Sequence, residues 1–382
     1  MNMFLSAKQA AARLGIAPAT LYAYVSRGLL AAEPGPDGRT SRYAAEQVDA
    51  LAASRRRGRR PREVARATLD FGLPVLESAL TAVQDGRFYY RGRDAVALAA
   101  HATLEEVAAL LWDMALPKPA ASVARGPARH PVPEAPSLLA AFAATGPDAV
   151  ETEAWIADPA RRARGCLGLL RGLCGLMTGV APGEVALHAH CATVWGVDAH
   201  GAALIRAALV LCADHELNAS SFTVRCVAGT GASLHAALLA GLAALSGPRH
   251  GGITARVAAL WTGLDPANPE AGLRARLARG EDMPGFGHPL YPAGDPRAAA
   301  LLAALPEGAA LAATITALTG QRPSLDFALV ALARHLDLPA GAAFGIFALG
   351  RAVGWIAHAL EQRAAARLIR PRAVYVGPRP ET

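Results

Sequence analysis

Between residues 63 and 378 the chain is built mainly from alanine and leucine, set at helical spacing and interrupted at Gly and Pro. No other feature constrains the fold as much. Alanine and leucine are strong helix formers. Apolar residues recurring every three to four positions predict helices with one buried face. The clearest are 104–111, 202–211, 233–245, 298–305 and 344–362. Strand signals are sparse, at Phe88-Tyr89-Tyr90 and over 373–376. The Pro-rich stretch 118–136 reads as a surface loop. There is no internal repeat and no phosphate-binding glycine loop. The fold class expected is mainly α.

The 382 residues suffice for one large domain or two to three ordinary ones. A core of that size needs no disulfide or metal. The apolar runs read as too short for a membrane span, and the first residues do not resemble a secretion signal. A soluble cytoplasmic protein is expected. Cys166, Cys174, Cys191, Cys212 and Cys226 contain no C-x-x-C pair, so they read as small buried hydrophobes in a reducing compartment. His188-Ala189-His190-Cys191 lacks further acidic or thiol partners in register, and no metal site is expected.

Charge is unevenly placed. Residues 1–66 carry 12 Lys+Arg against 5 Asp+Glu, which accounts for the whole net charge of +7. A local basic excess attracts polyanions. Within this segment Ser6 can cap a helix over 7–14, which Gly15 ends. Pro18 opens a second helix, stopped by Gly28. A turn-rich basic stretch over 33–43 reads as a β-wing, and 44–54 as a third helix. Residues 55–62 (RRRGRRPR) read as a solvated linker or, alternatively, a phosphate-contacting arm.

Three histidine-bearing segments stand out. Asp214-His215-Glu216-Leu217-Asn218-Ala219-Ser220 ends an apolar run. Ser246-Gly247-Pro248-Arg249-His250-Gly251-Gly252 puts one histidine among residues that let a backbone approach a ligand. Met283-Pro284-Gly285-Phe286-Gly287-His288-Pro289-Leu290-Tyr291 is followed by Asp295-Pro296-Arg297. Asp326 sits in an apolar stretch, and Arg351 interrupts a long apolar helix. Singly, each has a structural explanation: a turn histidine, a helix cap, an ion pair.

In order, these segments resemble the citrate synthase family. So do Leu325-Asp326-Phe327, the run from Arg351 to His358, and Ile369-Arg370-Pro371. Nearer the start, Asp85-Gly86, Tyr90-Arg91-Gly92-Arg93-Asp94 and Ala102 to Val107 look like the family's opening strand and first helix. The resemblance spans about 68–377. It implies acetyl-CoA and oxaloacetate as substrates and no permanently bound cofactor. Asp326 would be the general base that takes the methyl proton. His250 would stabilise the enol through the thioester oxygen, and His288 would polarise the keto carbonyl. His215, Arg297 and Arg351 would bind the dicarboxylate. Arg370 would reach into the neighbouring subunit of a homodimer. Pro284, Gly285, Phe286 and Gly287 would line the CoA site. The implied large domain is 65–252 with 338–377, and the implied small domain, which closes over substrate, is 253–337.

Departures concern CoA. Many family members have a basic residue where this chain has Pro292. Arg249 takes a usually apolar position and could supply the missing charge. Ile253-Thr254 replaces a common Ala-Asn, and Pro289 follows His288. Other specificities are therefore open: 2-methylcitrate synthesis or citryl-CoA cleavage. At the N-terminus, residues 1–54 resemble a MerR-type or excisionase-type helix-turn-helix, with 55–64 as basic linker. By that resemblance Thr20, Tyr22 and Tyr24 lie on a recognition helix and Arg39 and Arg42 in the wing, facing DNA. The remaining reading is a regulator whose enzyme fold senses a metabolite.

Overall fold

The computed structural model describes residues 4–26, 30–35, 40–58, 76–120, 132–146, 158–373 and 375–378. The chain divides into two compact units, Met1–Glu77 with Arg372–Thr382, and Ser78–Pro371.

The first unit runs β1 (Phe4–Ser6), α1 (Ala7–Leu14), α2 (Pro18–Ser26), β2 (Glu33–Pro34), β3 (Ser41–Ala44) and α3 (Ala45–Gly58). Ser6 accepts from the Gln9 amide while the Gln9 side chain accepts from that of Ser6, so two orphan donors are satisfied at the start of α1. Gly15, at φ 62°, ends the helix in the left-handed conformation that glycine tolerates. The strands form an antiparallel sheet in the order β1-β3-β2, with Leu5 opposite Tyr43 and Glu33 opposite Arg42. Leu14, Leu21, Leu30, Tyr43 and Val48 are buried at the centre. The β2–β3 pair occupies the expected wing. The third helix continues to Gly58, so residues 55–58 are helical and not linker. Gly28 and residues 59–62 lie outside the described residues.

The second unit opens with an antiparallel sheet of β4 (Thr81–Gln84), β5 (Arg87–Tyr90) and β6 (Arg93–Asp94). Its helices are α4 (Ala95–His101), α5 (Leu104–Trp112), α6 (Ala135–Thr145), α7 (Pro159–Thr178), α8 (Leu187–Trp195), α9 (Ala199–Cys212), α10 (Ala219–Gly229), α11 (Leu234–Leu245), α12 (Ile253–Thr262), α13 (Pro269–Ala278), α14 (Pro296–Leu302), α15 (Pro306–Thr319), α16 (Leu325–His335) and α17 (Ala342–Ala365). The predicted helices and the strand at Phe88 are all present. Many helix starts carry a side-chain cap: Asp94, Thr103 with Glu106, Asp158, Asp198, Asn218, Ser233 and Asp295.

The core sits around α17, buried along most of its 24 residues. By length and apolarity α17 could cross a bilayer, contrary to the reading that every apolar run is too short. However, 94% of its apolar window is buried inside the unit, which makes it a core helix. Gly350 and Gly354 let it approach the end of α9. A Cβ on Gly350 would come within 2.6 Å of the Leu209 carbonyl, and one on Gly354 would overlap Ala213 O and Asp214 Oδ1. No strand forms at 373–376. Tyr375 and Val376 are exposed and, among the described residues, pair with no strand; Val374 lies outside the described residues. Of the predicted loop, 121–131 lies outside the described residues, and its last two residues begin α6.

Candidate active site

Each predicted catalytic side chain stands on a helix end or a glycine turn. His215 follows α9 in the turn that Asn218 closes as the cap of α10. The turn is tight enough to hold Glu216 at φ +55°. His250 lies in the reversal between α11 and α12, where its amide donates to Gly247 O and Gly252 donates to Leu245 O. A side chain on Gly252 would collide with the Ser246 carbonyl, so the turn excludes one. His288 follows the Pro284–Gly287 loop, in which Gly285 and Gly287 have φ of +82° and +79°. That loop is stitched to the segment before Asp326. Gly287 N donates to Arg322 O, Ser324 N donates to Gly285 O, and the Phe286 and Phe327 rings meet edge to face at 4.9 Å.

His215 is the hub. Its Nε2 lies 2.7 Å from Tyr291 Oη, and its ring centroid lies 5.5 Å from that of His288. His250 sits edge-on to Phe347 at 5.9 Å, with Nε2 2.9 Å from Ser220 Oγ. Ser220 Oγ donates to Asn218 Oδ1 and accepts from Trp355 Nε1. Arg351 on α17 is 1% exposed and donates from Nε to Cys212 O at 2.8 Å. Arg297, 4% exposed, is paired with Asp295.

The electrostatics tie these groups to one region. Burial, then the Arg297 and Arg351 guanidiniums, then His288 and His250 hold His215 well below the ordinary imidazole pKa. Burial with Arg351 and Arg297 pushes His250 down to about 3. Burial and Arg297 push His288 down to about 4, against a smaller opposing effect of Asp295. All three imidazoles are neutral at pH 7. Asp326 moves the other way, to about 6. Burial raises it, and Arg297 and the Ser324 hydroxyl only partly offset this. Its Oδ1 is sealed from solvent and has no hydrogen-bond partner. Arg297 thus acts on His215, His250, His288 and Asp326 alike.

The other predicted residues divide. Arg370 is exposed past the end of α17 and has no bond to this cluster among the described residues. Arg249 is exposed beside His250. In the N-terminal unit Tyr22 is 57% exposed, while Thr20 and Tyr24 are half-buried. Arg42 is engaged within its own unit, 3.1 Å from Glu33 Oε2 and stacked 4.3 Å over Phe4. Arg39 lies outside the described residues. Among the described residues no three His, Cys, Asp or Glu side chains gather as a metal site would require. His190 instead meets Thr178 at 3.0 Å and Cys191 packs on Cys174. Four cysteines are buried and Cys226 is half-buried; all are free.

Three residues given no role from sequence belong to this site. Tyr291 meets His215, Ser220 meets His250, and Asp295 holds Arg297. Each lies in a quoted motif, but spacing along the chain does not reveal which neighbour it meets.

Fold and site together define a mainly helical protein in which neutral imidazoles and a half-buried carboxylate, Asp326, share the field of buried guanidiniums. The family model described as "Citrate synthase, C-terminal domain" matches residues 70–125 and 174–372, and this chain belongs to the citrate synthase family. A helix-turn-helix domain model matches residues 4–56. "Citrate synthase 2" of Bacillus subtilis is 37% identical over 192 residues, 45% of this chain and 50% of its own length. The "2-methylcitrate synthase" of Mycobacterium tuberculosis is 35% identical over 183 residues, 44% of this chain and 47% of its own. The chain thus spans about half the length of the curated relatives it matches. The fold is that of the Thermoplasma acidophilum citrate synthase solved as a ternary complex with carboxymethyl coenzyme A and oxaloacetate. That likeness has a TM-score of 0.64 at 23% identity and covers 81% of this chain and 96% of the other.

Proposed function

We propose that this chain condenses acetyl-CoA with oxaloacetate and hydrolyses the resulting thioester to citrate and CoA. Asp326 takes a proton from the acetyl methyl group. His250 hydrogen-bonds the thioester oxygen as the enol forms. The enol carbon attacks the keto carbon, and His288 stabilises the oxygen that becomes the hydroxyl. Water then cleaves the C–S bond and CoA leaves as the thiol. His215, Arg297 and Arg351 grip the two carboxylates, and Arg370 comes from the partner subunit of a homodimer. Pro284, Gly285, Phe286 and Gly287 line the CoA site, and Arg249 meets the CoA phosphates in place of a base at Pro292. Within the second unit, 78–252 with 338–371 form the large domain and 253–337 closes over the substrates to exclude water, while 65–77 and 372–377 of the expected large domain fall in the first unit. The reaction is cytoplasmic and needs no permanently bound cofactor.

One observation carries this reading. A carboxylate raised to about 6 and histidines lowered to about 3 and 4 lie in the field of a single arginine. A base near neutrality beside neutral hydrogen-bonding imidazoles suits the removal of a weakly acidic carbon-bound proton. The test is release of free thiol from acetyl-CoA and from propionyl-CoA, each with oxaloacetate. Faster turnover of acetyl-CoA supports citrate synthesis. Preference for propionyl-CoA moves the assignment to 2-methylcitrate synthesis, which the 35% identical relative favours. The helix-turn-helix match favours an added role in binding DNA through the N-terminal unit.

A further inference from the structure

Asp214 is not used in the reaction above, yet it is among the most completely buried charges in the second unit, with its side chain 0% exposed. Thr81 Oγ1 donates to its Oδ2 at 2.5 Å. His358 Nε2, also fully buried, lies 3.2 Å from Oδ1 without hydrogen-bond alignment. The Asp214 amide donates to Tyr90 Oη at 3.2 Å, whose own proton has Val210 O at 2.9 Å and Asp214 O at 3.2 Å as acceptors. Gly354 of α17 lies directly on the carboxylate, with its amide donating to Ala213 O at 2.8 Å. Three residues earlier on the same helix, Arg351 donates to Cys212 O. The guanidinium and the carboxylate are thus held at the two ends of one three-residue segment. Among the described residues they make no direct bond, unlike the Arg297–Asp295 pair.

We propose that Asp214 is a resident counter-ion for Arg351: it balances the guanidinium while the site is empty and limits how tightly the site holds a dicarboxylate. This rests on the reading of Arg351 as a carboxylate binder. The groups facing or acting on Asp214 are Thr81, Tyr90, His358, Arg351 and, two residues on, Glu216. Burial alone would favour the protonated acid, but His358, Arg351 and Thr81 outweigh it, so the group stays ionised. Buried charges are weakly screened, so one negative charge acts on another across several ångströms. A fixed anion behind Arg351 stabilises the empty site and opposes the arriving dianion. Both effects vanish if the charge is removed while the shape is kept.

Asp214→Asn does this and leaves an acceptor for Thr81. The experiment is calorimetric titration of oxaloacetate into the full chain, as wild type, Asp214→Asn and Arg351→Gln. The expected result is about tenfold tighter binding by Asp214→Asn, the scale of one charge acting at interior dielectric. Its melting temperature should be lower without ligand, with the gap narrowing at saturating oxaloacetate. Arg351→Gln should lose binding. A purely structural aspartate would give weaker binding on substitution. Unchanged or weaker binding by Asp214→Asn, with Arg351→Gln still impaired, overturns the counter-ion inference alone. A wild-type chain that does not bind oxaloacetate overturns the reading beneath it as well. If Asp214→Asn does not fold alone, refolding with and without oxaloacetate decides. Recovery by the dianion supports the inference, and no recovery overturns it.

Discussion

Arg297 and Asp295 face each other through two parallel hydrogen bonds, Nε to Oδ1 at 2.9 Å and Nη2 to Oδ2 at 2.8 Å, with side chains 4% and 0% exposed. The same carboxylate accepts from the Arg297 amide at 3.0 Å and from the Leu325 amide at 3.0 Å. It therefore fixes both the guanidinium whose field reaches the imidazoles and the start of the helix that carries Asp326.

Asp295→Asn should accordingly do more than remove a helix cap. Breaking a buried ion pair from one side leaves an uncompensated charge, at a cost of about 3–5 kcal/mol. The expected outcome is a large drop in melting temperature and at least a tenfold rise in KM for oxaloacetate, checked by thermal denaturation and steady-state kinetics. An unchanged melting temperature would show that Arg297 finds another counter-ion.

With Asp326 in the proposed role of base, which requires it ionised, activity should fall as pH drops through about 6. For stability the sign is the reverse of the usual carboxylate. The folded pKa lies above the unfolded value near 3.8, so this group's contribution declines as pH rises from about 4 to about 6. Asp326→Asn should remove that burden. It should raise stability at pH 8 by about 2–3 kcal/mol while lowering kcat by about 10² to 10⁴. The lowered histidines act oppositely: the unfolded chain takes up their protons below about 6.5, so they cost stability as pH falls. Denaturation curves at pH 5 and pH 8 for wild type and Asp326→Asn separate the two effects.

The helical architecture was legible because alanine and leucine periodicity sets which faces are buried, and α17 and α9 carry that pattern with few polar breaks, Arg351 and Arg206 among them. The positions of His250, His288 and Asp326 were legible through the ordered motifs. Their environment was not. That Ser220 meets His250 across 30 positions, or Thr81 meets Asp214 across 133, depends on tertiary approach that no local periodicity encodes. The expected strand at 373–376 failed because β propensity reflects packing against a neighbour, and among the described residues the exposed Tyr375 and Val376 join no sheet. The helix over 55–58 was missed because a run of like charges reads as linker, although arginine is itself a good helix former.

The Ser220 hydroxyl has one proton and two claimants, Asn218 Oδ1 and His250 Nε2. When it donates to Nε2, the imidazole proton must sit on Nδ1, leaving that nitrogen free to donate to a thioester oxygen. Ser220→Ala removes this control and leaves Trp355 Nε1 without its acceptor. The expected result is a fall of about tenfold to a hundredfold in kcat with little change in KM for oxaloacetate. A change confined to oxaloacetate KM would place Ser220 in acceptor binding instead.

DNA binding by the N-terminal unit should appear as a salt-dependent gel shift of the full chain, since contacts to phosphates release counter-ions. Tyr22→Ala, altering the most exposed of the candidate recognition residues, should weaken it. Arg42→Ala should act mainly through unit stability, because Arg42 is committed to Glu33 and Phe4. Mobility that is independent of salt and unaffected by Tyr22→Ala would remove DNA from the list of partners.

The convergence of His250, His288 and Asp326 on one reacting pair of substrates is tested most directly by thiol release at pH 8 from acetyl-CoA mixed with oxaloacetate. Wild type should release CoA thiol only when oxaloacetate is present, and His250→Ala, His288→Ala and Asp326→Asn should each slow that release by about 10² to 10⁴ without unfolding the chain. Oxaloacetate-dependent release within about tenfold of wild type in any of the three folded variants would contradict the assignment of these residues to a single catalytic site.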